Sequence, residues 1–172
     1  TGRGIGPCYE DKVARRGIRA MDLLDPDSLS HKIKSLAQYH NFMLETYYKQ
    51  DPLPFEPVYN DLLELAKKIT PMIADVSSLL ADFADAGKTV VFEGAQGALL
   101  DIDLGTYPFV TSSNTTAGAA STGTGFGPLY FDDCVGITKA YVTRVGSGPF
   151  PTELHDDLGA KMADRGKEFG SV

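Results

Sequence analysis

Apolar positions recur at helical spacing through the first half of the chain and give way to short β-rich runs in the second. Leu29, Ile33, Leu36, Met43 and Tyr47 follow one another at three, four or seven residues, which is the stripe of an amphipathic helix. Asp25 precedes the stripe as an N-cap, and Pro26 occupies the first helical position. The prolines of Asp51-Pro52-Leu53-Pro54 end it, because neither can continue a helix from that side. A second stripe, Val58, Leu62, Leu65, Ile69, Ile73, Val76, Leu80 and Phe83, predicts a helix from about Pro57. Pro71 kinks or divides it, and Gly87 is its C′ residue. Both stripes read as core or subunit-interface surface, not as a cofactor box.

The pattern changes near Thr89. Lys88 to Glu93 is a β-rich run that enters the turn Gly94-Ala95-Gln96-Gly97. Helix, buried strand and glycine turn in that order predict an α/β sheet. Ligands in such sheets sit beyond the carboxyl ends of strands, which is where Gln96 falls. A second strand is predicted from Gly136 to Val145, closed by Gly146-Ser147-Gly148-Pro149. A short terminal helix follows from Asp156 to about Lys167, weakened by Gly159 and Gly166. The chain holds no internal repeat and no low-complexity tract. It parts into an opening segment (1–24), a helical segment (25–87) and a strand-and-loop segment (88–172).

Composition narrows the function classes. The 172 residues suffice for one compact domain, and 42% hydrophobic with 23% charged residues is the balance of a soluble globular protein. No apolar run approaches the roughly 20 residues a membrane span needs. Two cysteines, Cys8 and Cys134, make neither a disulfide framework nor a zinc site and fit a reduced, cytoplasmic setting. A net charge of −7 argues against broad nucleic-acid binding. Arg3, Lys12, Arg15, Arg16 and Arg19 form a positive island that serves a small anion or is simply a solvated charge run. The chain opens on Thr1-Gly2-Arg3-Gly4 and stops at Gly170-Ser171-Val172, which reads as an internal piece of something longer.

Two stretches offer anion chemistry. In Thr1-Gly2-Arg3-Gly4-Ile5-Gly6-Pro7, glycines let backbone N–H groups approach an anion, and a hydroxyl with a guanidinium can complete a phosphate site. In Thr111-Ser112-Ser113-Asn114-Thr115-Thr116, five hydroxyls and an amide stand before the small residues from Ala117 to Ala120. Such a cluster holds a phosphate at a strand-to-helix junction, or only caps the helix through Asn114 or Ser113. Asp101 and Asp103 share a face if they lie on a strand, but no third ligand stands at metal spacing. His31, His40 and His155 are scattered, no nucleophile–histidine–acid arrangement forms, and no Walker-type phosphate loop is present. The residues alone thus give an α/β protein with a glycine-lined anion site and no named reaction.

Four segments in order resemble the adenylosuccinate synthetase family. Gly4 to Arg15 matches the signature G-I-G-P-x-Y-x-x-K-x-x-R at every fixed position. Phe92 to Asp103 resembles the segment around E-G-A-Q-G, and Gly105 to Gly118 the hydroxyl-rich loop. Thr143 to Glu153 is similar as well. Leu104, where the family often has histidine, is a small departure, as is Cys8 at a free position of the signature.

The resemblance implies an α/β fold with a P-loop-NTPase-related sheet, present in part, and a helical segment inserted before the central strands. It implies a homodimer that joins IMP and L-aspartate at the expense of GTP, with Mg2+ bridging the GTP. Carried over by position, Thr1 and Thr111 correspond to hydroxyl donors to the IMP 5′-phosphate, and Arg15 to an arginine reaching that phosphate from the partner subunit. Gln96 corresponds to the amide near O6 of the base, Val145 to a residue against the sugar, and Lys12 to the signature lysine, grouped with Gln96 as catalytic. The family's phosphate loop and its catalytic aspartate and histidine fall before Thr1. Its aspartate-binding loop and guanine-recognition motif fall after Val172. The ligands of GTP, Mg2+ and aspartate are therefore expected outside these residues, with no metal site within them and no catalysis by this piece alone. The competing expectation is a non-catalytic nucleotide-binding or interaction module on the same scaffold.

Overall fold

A computed structural model describes residues 2–172. The chain divides into two compact units, Thr1–Asp75 and Val76–Val172. The first is helical: α1 (Ile5–Val13), a 3-10 turn (Ala20–Leu24), α2 (Pro26–Met43) and α3 (Phe55–Ile69). Asp25 caps α2 as its sequence predicts, accepting the N–H groups of Asp27 and Ser28, each at 3.1 Å, while Pro26 fills the first position. Leu29 and Ile33, 0% and 3% exposed, form the core of this unit with Ala66. Tyr47, from the same stripe, is exposed instead. Residues Leu44–Tyr48 form a wider, π-type turn, which breaks the 3.6-residue phase before that position.

The proline loop is held from α2, because the Asn41 amide both donates to the Leu53 carbonyl (2.9 Å) and accepts the Leu53 N–H (2.8 Å). α3 starts at Phe55, two residues ahead of Pro57. That proline still lies in the first turn, where its missing N–H costs nothing. Pro71 sits in a 3-10 turn, Thr70–Met72, which ends α3.

The second unit holds α4 (Val76–Asp85), α5 (Gly118–Thr124) and α6 (Asp157–Gly166), with 3-10 turns at Ala98–Leu100 and Pro128–Tyr130. α4 closes at Gly87, whose φ of 65° lets the Lys88 N–H return to the Phe83 carbonyl at 2.9 Å. The Ser77 hydroxyl ties α4 to the end of α5 by donating to the Thr124 carbonyl at 2.9 Å. Phe126 is buried among Phe92, Tyr130 and Phe131, with ring centroids 4.7–6.1 Å away. α6 is capped by Asp156. Its Gly159 is no weak point: it is buried, and a Cβ there would run into the Leu154 carbonyl.

The expected strands are not formed. Neither 88–93 nor 136–145 pairs as a strand, and among the described residues the sole pairing is one antiparallel bridge, Arg144 with Ser171. Its hydrogen bonds run from Arg144 N–H to Ser171 O at 3.0 Å and back at 2.8 Å. A strand exists only if a neighbour takes its backbone groups, and apart from Ser171 beside Arg144 the described residues pair none with these runs. Their apolar side chains stay open accordingly, Val91 at 85% exposure and Ile137 at 94%. No described helix is long and apolar enough to cross a membrane.

Candidate functional site

In the second unit, the glycine turn and the hydroxyl-rich loop meet around one buried carboxylate. Asp101 is fully buried. Its Oδ1 accepts the N–H groups of Asp103 (2.9 Å) and Leu104 (3.0 Å), and its Oδ2 accepts the Thr115 N–H at 2.6 Å. The Asn114 amide adds longer contacts of 3.3 and 3.5 Å and donates to Asp103 at 2.7 Å. The donated N–H of Thr115 first, then that of Leu104, overcome burial and hold the Asp101 carboxyl down at about 2. The Thr111 N–H donates to the Leu100 carbonyl at 2.8 Å, and the Ile102 N–H to the Ser113 carbonyl at 3.2 Å. The Thr115 hydroxyl then reaches the Gly97 carbonyl at 3.0 Å, next to Gln96. Gln96 is exposed, in the left-handed region at φ 65°. Thr111 is half-buried in the facing loop.

A guanidinium joins the turn that carries Val145 to the same loop. Arg144 donates to the Phe109 carbonyl (3.0 Å), the Thr106 hydroxyl (3.3 Å) and, twice, the Ser147 carbonyl (3.0 and 3.1 Å). Gly148, at φ 124°, lies so close that a Cβ would strike both the Arg144 guanidinium and Phe109. Val145 itself is exposed beside this clasp.

In the first unit, α1 carries the signature. Lys12 is exposed, its Nζ 5.7 Å from the Tyr9 ring centre. Arg15 follows the end of α1 at φ 64°, exposed and without an ion pair among the described residues. The positive island is therefore not uniform, because Arg16 is committed. Its Nε donates to Asp11 Oδ1 at 2.6 Å, and its guanidinium lies 3.9 Å over the Tyr39 ring. His40 of α2 donates from Nε2 to the other Asp11 oxygen at 2.8 Å. Burial pushes the Asp11 carboxyl up, but the bonds from His40 and Arg16 together outweigh it and hold the group below its ordinary value. The Asp11 carbonyl takes the N–H groups of Arg16 and Gly17, each at 3.0 Å, which fixes the turn at Arg15.

The second unit thus gathers the segments of Gln96, Thr111 and Val145. Lys12 and Arg15 share the end of α1, and Thr1 lies outside the described residues. Neither Asn114 nor Ser113 caps α5, whose N-cap is Ala117 with no side-chain cap. Sequence reasoning passed over Asp101 as a hub, Arg144 as a clasp and Asp11 as an anchor. For Asp101 a signal existed: an aspartate at a turn accepts from backbone two and three residues on. Asp101 and Asp103 do not pair as metal ligands, since the oxygens of Asp101 are spent on N–H donors. No group of three His, Cys, Asp or Glu among the described residues could hold a metal ion. These residues do not fit a magnesium site.

Comparison with known proteins decides the family. Residues 1–172 match the adenylosuccinate synthetase family model from end to end. The chain belongs to the adenylosuccinate synthetase family. The adenylosuccinate synthetase of Coxiella burnetii (strain RSA 331 / Henzerling II) is 69% identical over 172 residues, all of this chain and 40% of that protein. That of Hahella chejuensis is 60% identical over the same extent. A solved structure of fully ligated adenylosuccinate synthetase from Plasmodium falciparum superposes with a TM-score of 0.89 at 38% identity. It covers 98% of this chain and 39% of its own. The chain therefore spans about two-fifths of the length of its relatives and follows the path of a synthetase of known structure over that extent.

Proposed function

We propose that this chain is one part of the synthetase domain of a GTP-dependent ligase that joins IMP and L-aspartate to adenylosuccinate in AMP biosynthesis. The observation that carries the reading is the family match along all 172 residues, beside the signature read in the sequence from Gly4 to Arg15. In this reading the apolar runs 88–93 and 136–145 belong to a P-loop-NTPase-related sheet completed by other parts of the protein. The enzyme is a cytoplasmic homodimer.

The chemistry has two steps. O6 of IMP attacks the γ-phosphorus of GTP as N1 of the base gives up its proton, and GDP leaves. The aspartate amine then attacks C6, and the phosphate departs with O6 while the amine gives up its proton. The first step converts a poor leaving group, a purine carbonyl oxygen, into a good one. The amide of Gln96 donates to O6 and steadies the charge that develops as oxygen becomes the phosphoryl acceptor. Thr111, and Thr1 with it, donate hydroxyls to the 5′-phosphate, and Val145 lies against the sugar. Arg15, without an ion pair among the described residues, serves the phosphate of the partner's site, and Lys12 stands three residues before it. GTP and the magnesium ion bind through residues outside this stretch, and no step here runs through the ion.

The test is direct. Full-length protein with IMP, GTP, L-aspartate and Mg2+ forms adenylosuccinate, and Gln96→Ala lowers turnover by about a hundredfold, as loss of one charge-stabilising donor does. IMP binding without product would instead mark a non-catalytic module. Wild-type turnover in Gln96→Ala would remove that residue from the mechanism.

A further inference from the structure

Among the described residues, the second unit buries an anion without a cation. Asp101 is fully buried, and its partners there are N–H groups of Asp103, Leu104, Asn114 and Thr115. Burying a carboxylate is costly, and a neutral side chain would fill the volume at lower cost. What only an ionised carboxylate provides here is an acceptor without a donor, with lone pairs for several N–H groups at once. Those donors come from two separate stretches, 103–104 and 114–115, so the carboxylate clips the hydroxyl-rich loop onto the turn at Ala98–Leu100. From the clipped loop, the Thr115 hydroxyl supports the glycine turn by donating to the Gly97 carbonyl at 3.0 Å. The residue before Gly97 is Gln96, in a backbone conformation that L-residues avoid unless their surroundings impose it.

We propose that Asp101 and Thr115 are positioning residues for Gln96: the buried carboxylate orders Thr115, and the Thr115 hydroxyl fixes the turn that aims the Gln96 amide at the base. The same clip holds Thr111 through its bond to Leu100, so one carboxylate sets the spacing between the amide and the phosphate-side hydroxyl. This rests on the role of Gln96 given above. It adds that the amide's catalytic effect depends on a hydroxyl and a carboxylate that never touch the substrate. Misplacing a catalytic group by about 1 Å costs as much as a hundredfold in rate.

The experiment is a double-mutant cycle in the full-length enzyme. Thr115→Val removes one hydroxyl and keeps the N–H that Asp101 accepts. It lowers kcat roughly tenfold with little change in Tm, and in a Gln96→Ala background its effect falls below about twofold. Asp101→Asn acts in the same direction and more strongly, since it turns an NH2 towards N–H donors. If it fails to fold, Thr115→Val carries the test alone. Equal factors in both backgrounds, or an unchanged kcat in Thr115→Val, overturn the proposal. If Gln96→Ala itself turns over like wild type, the reading of Gln96 fails and the catalytic half of this proposal goes with it. Amide hydrogen exchange then judges the clip. Faster exchange across 94–97 in Thr115→Val upholds it, and unchanged exchange overturns it.

Discussion

The guanidinium of Arg144 donates to the carbonyl oxygen of Phe109 at 3.0 Å, across 35 positions of sequence. With the bonds to Thr106 and Ser147, it fastens the turn that carries Val145 to the loop that leads into Thr111. A planar fork serves three oxygens at once, whereas an ammonium is a single point charge. Arg144→Lys should therefore recover little of what Arg144→Ala loses. Half-buried charge-assisted bonds of this kind are worth about 1–3 kcal/mol together, a fall in Tm of roughly 2–12 °C for a domain of this size. The KM for IMP should rise in both variants of the full-length enzyme. A lysine variant with wild-type Tm and KM would show that the clasp holds nothing.

Gln96 permits side chain and backbone to be separated. Its φ of 65° costs an L-residue about 1–2 kcal/mol that glycine does not pay. Gln96→Gly and Gln96→Ala remove the same amide, so turnover should drop alike in both. The glycine protein should be the more stable in denaturant by about 1 kcal/mol, less whatever the freer unfolded chain takes back. Equal midpoints, or a more stable alanine protein, would mean that the turn does not hold residue 96 in the left-handed region.

Acid should act on the second unit through Asp101. The carboxyl titrates at about 2 in the folded chain against 3.8 as its ordinary value. Between those values the unfolded chain binds the extra proton, so stability rises with pH there. The contribution is complete above 3.8 and is lost as pH falls towards 2. Asp11 and Asp22 are lowered as well and add losses of the same sign in the first unit. Urea midpoints of the wild-type protein should fall across this window more steeply than those of Asp101→Asn, which has no proton to gain. Parallel curves would mean that the carboxyl titrates alike in the folded and the unfolded chain.

The helices were legible in the sequence because their signals are local. Asp25 with Pro26, the Leu29–Ile33 spacing, the stop at Gly87 and Asp156 before α6 each act within a turn or two of the chain. The runs 88–93 and 136–145 were not, because a strand is a relation to another strand. High β-propensity at Val90, Val91 and Ile137 says what those residues would suit, not what stands beside them. Gln96, Thr111 and Arg15 were singled out as members of motifs. Asp101, Thr115 and Asp11, which hold those segments, were missed, because support of this kind depends on which loops meet. A fully buried aspartate looks like any other until its N–H donors arrive from thirteen or fourteen residues away.

The neighbours Arg15 and Arg16 have opposite fates, and that contrast makes a prediction across subunits. Arg16 is taken up by Asp11, Glu10 and the Tyr39 ring. The left-handed turn at Arg15 turns that residue out with no acid to meet among the described residues. If its anion lies in the partner's site, an Arg15→Leu chain paired with a Gln96→Ala chain rebuilds one complete site per dimer. The Arg15→Leu chain keeps its own Gln96 and borrows Arg15 from its partner. Each homodimer should be nearly inactive, and isolated heterodimers should reach about half the wild-type rate, one working site of two. Were Arg15 to serve its own chain, both sites of the heterodimer would stay broken. Purified heterodimers with no more activity than the two homodimers would place Arg15 in its own subunit's site or in none.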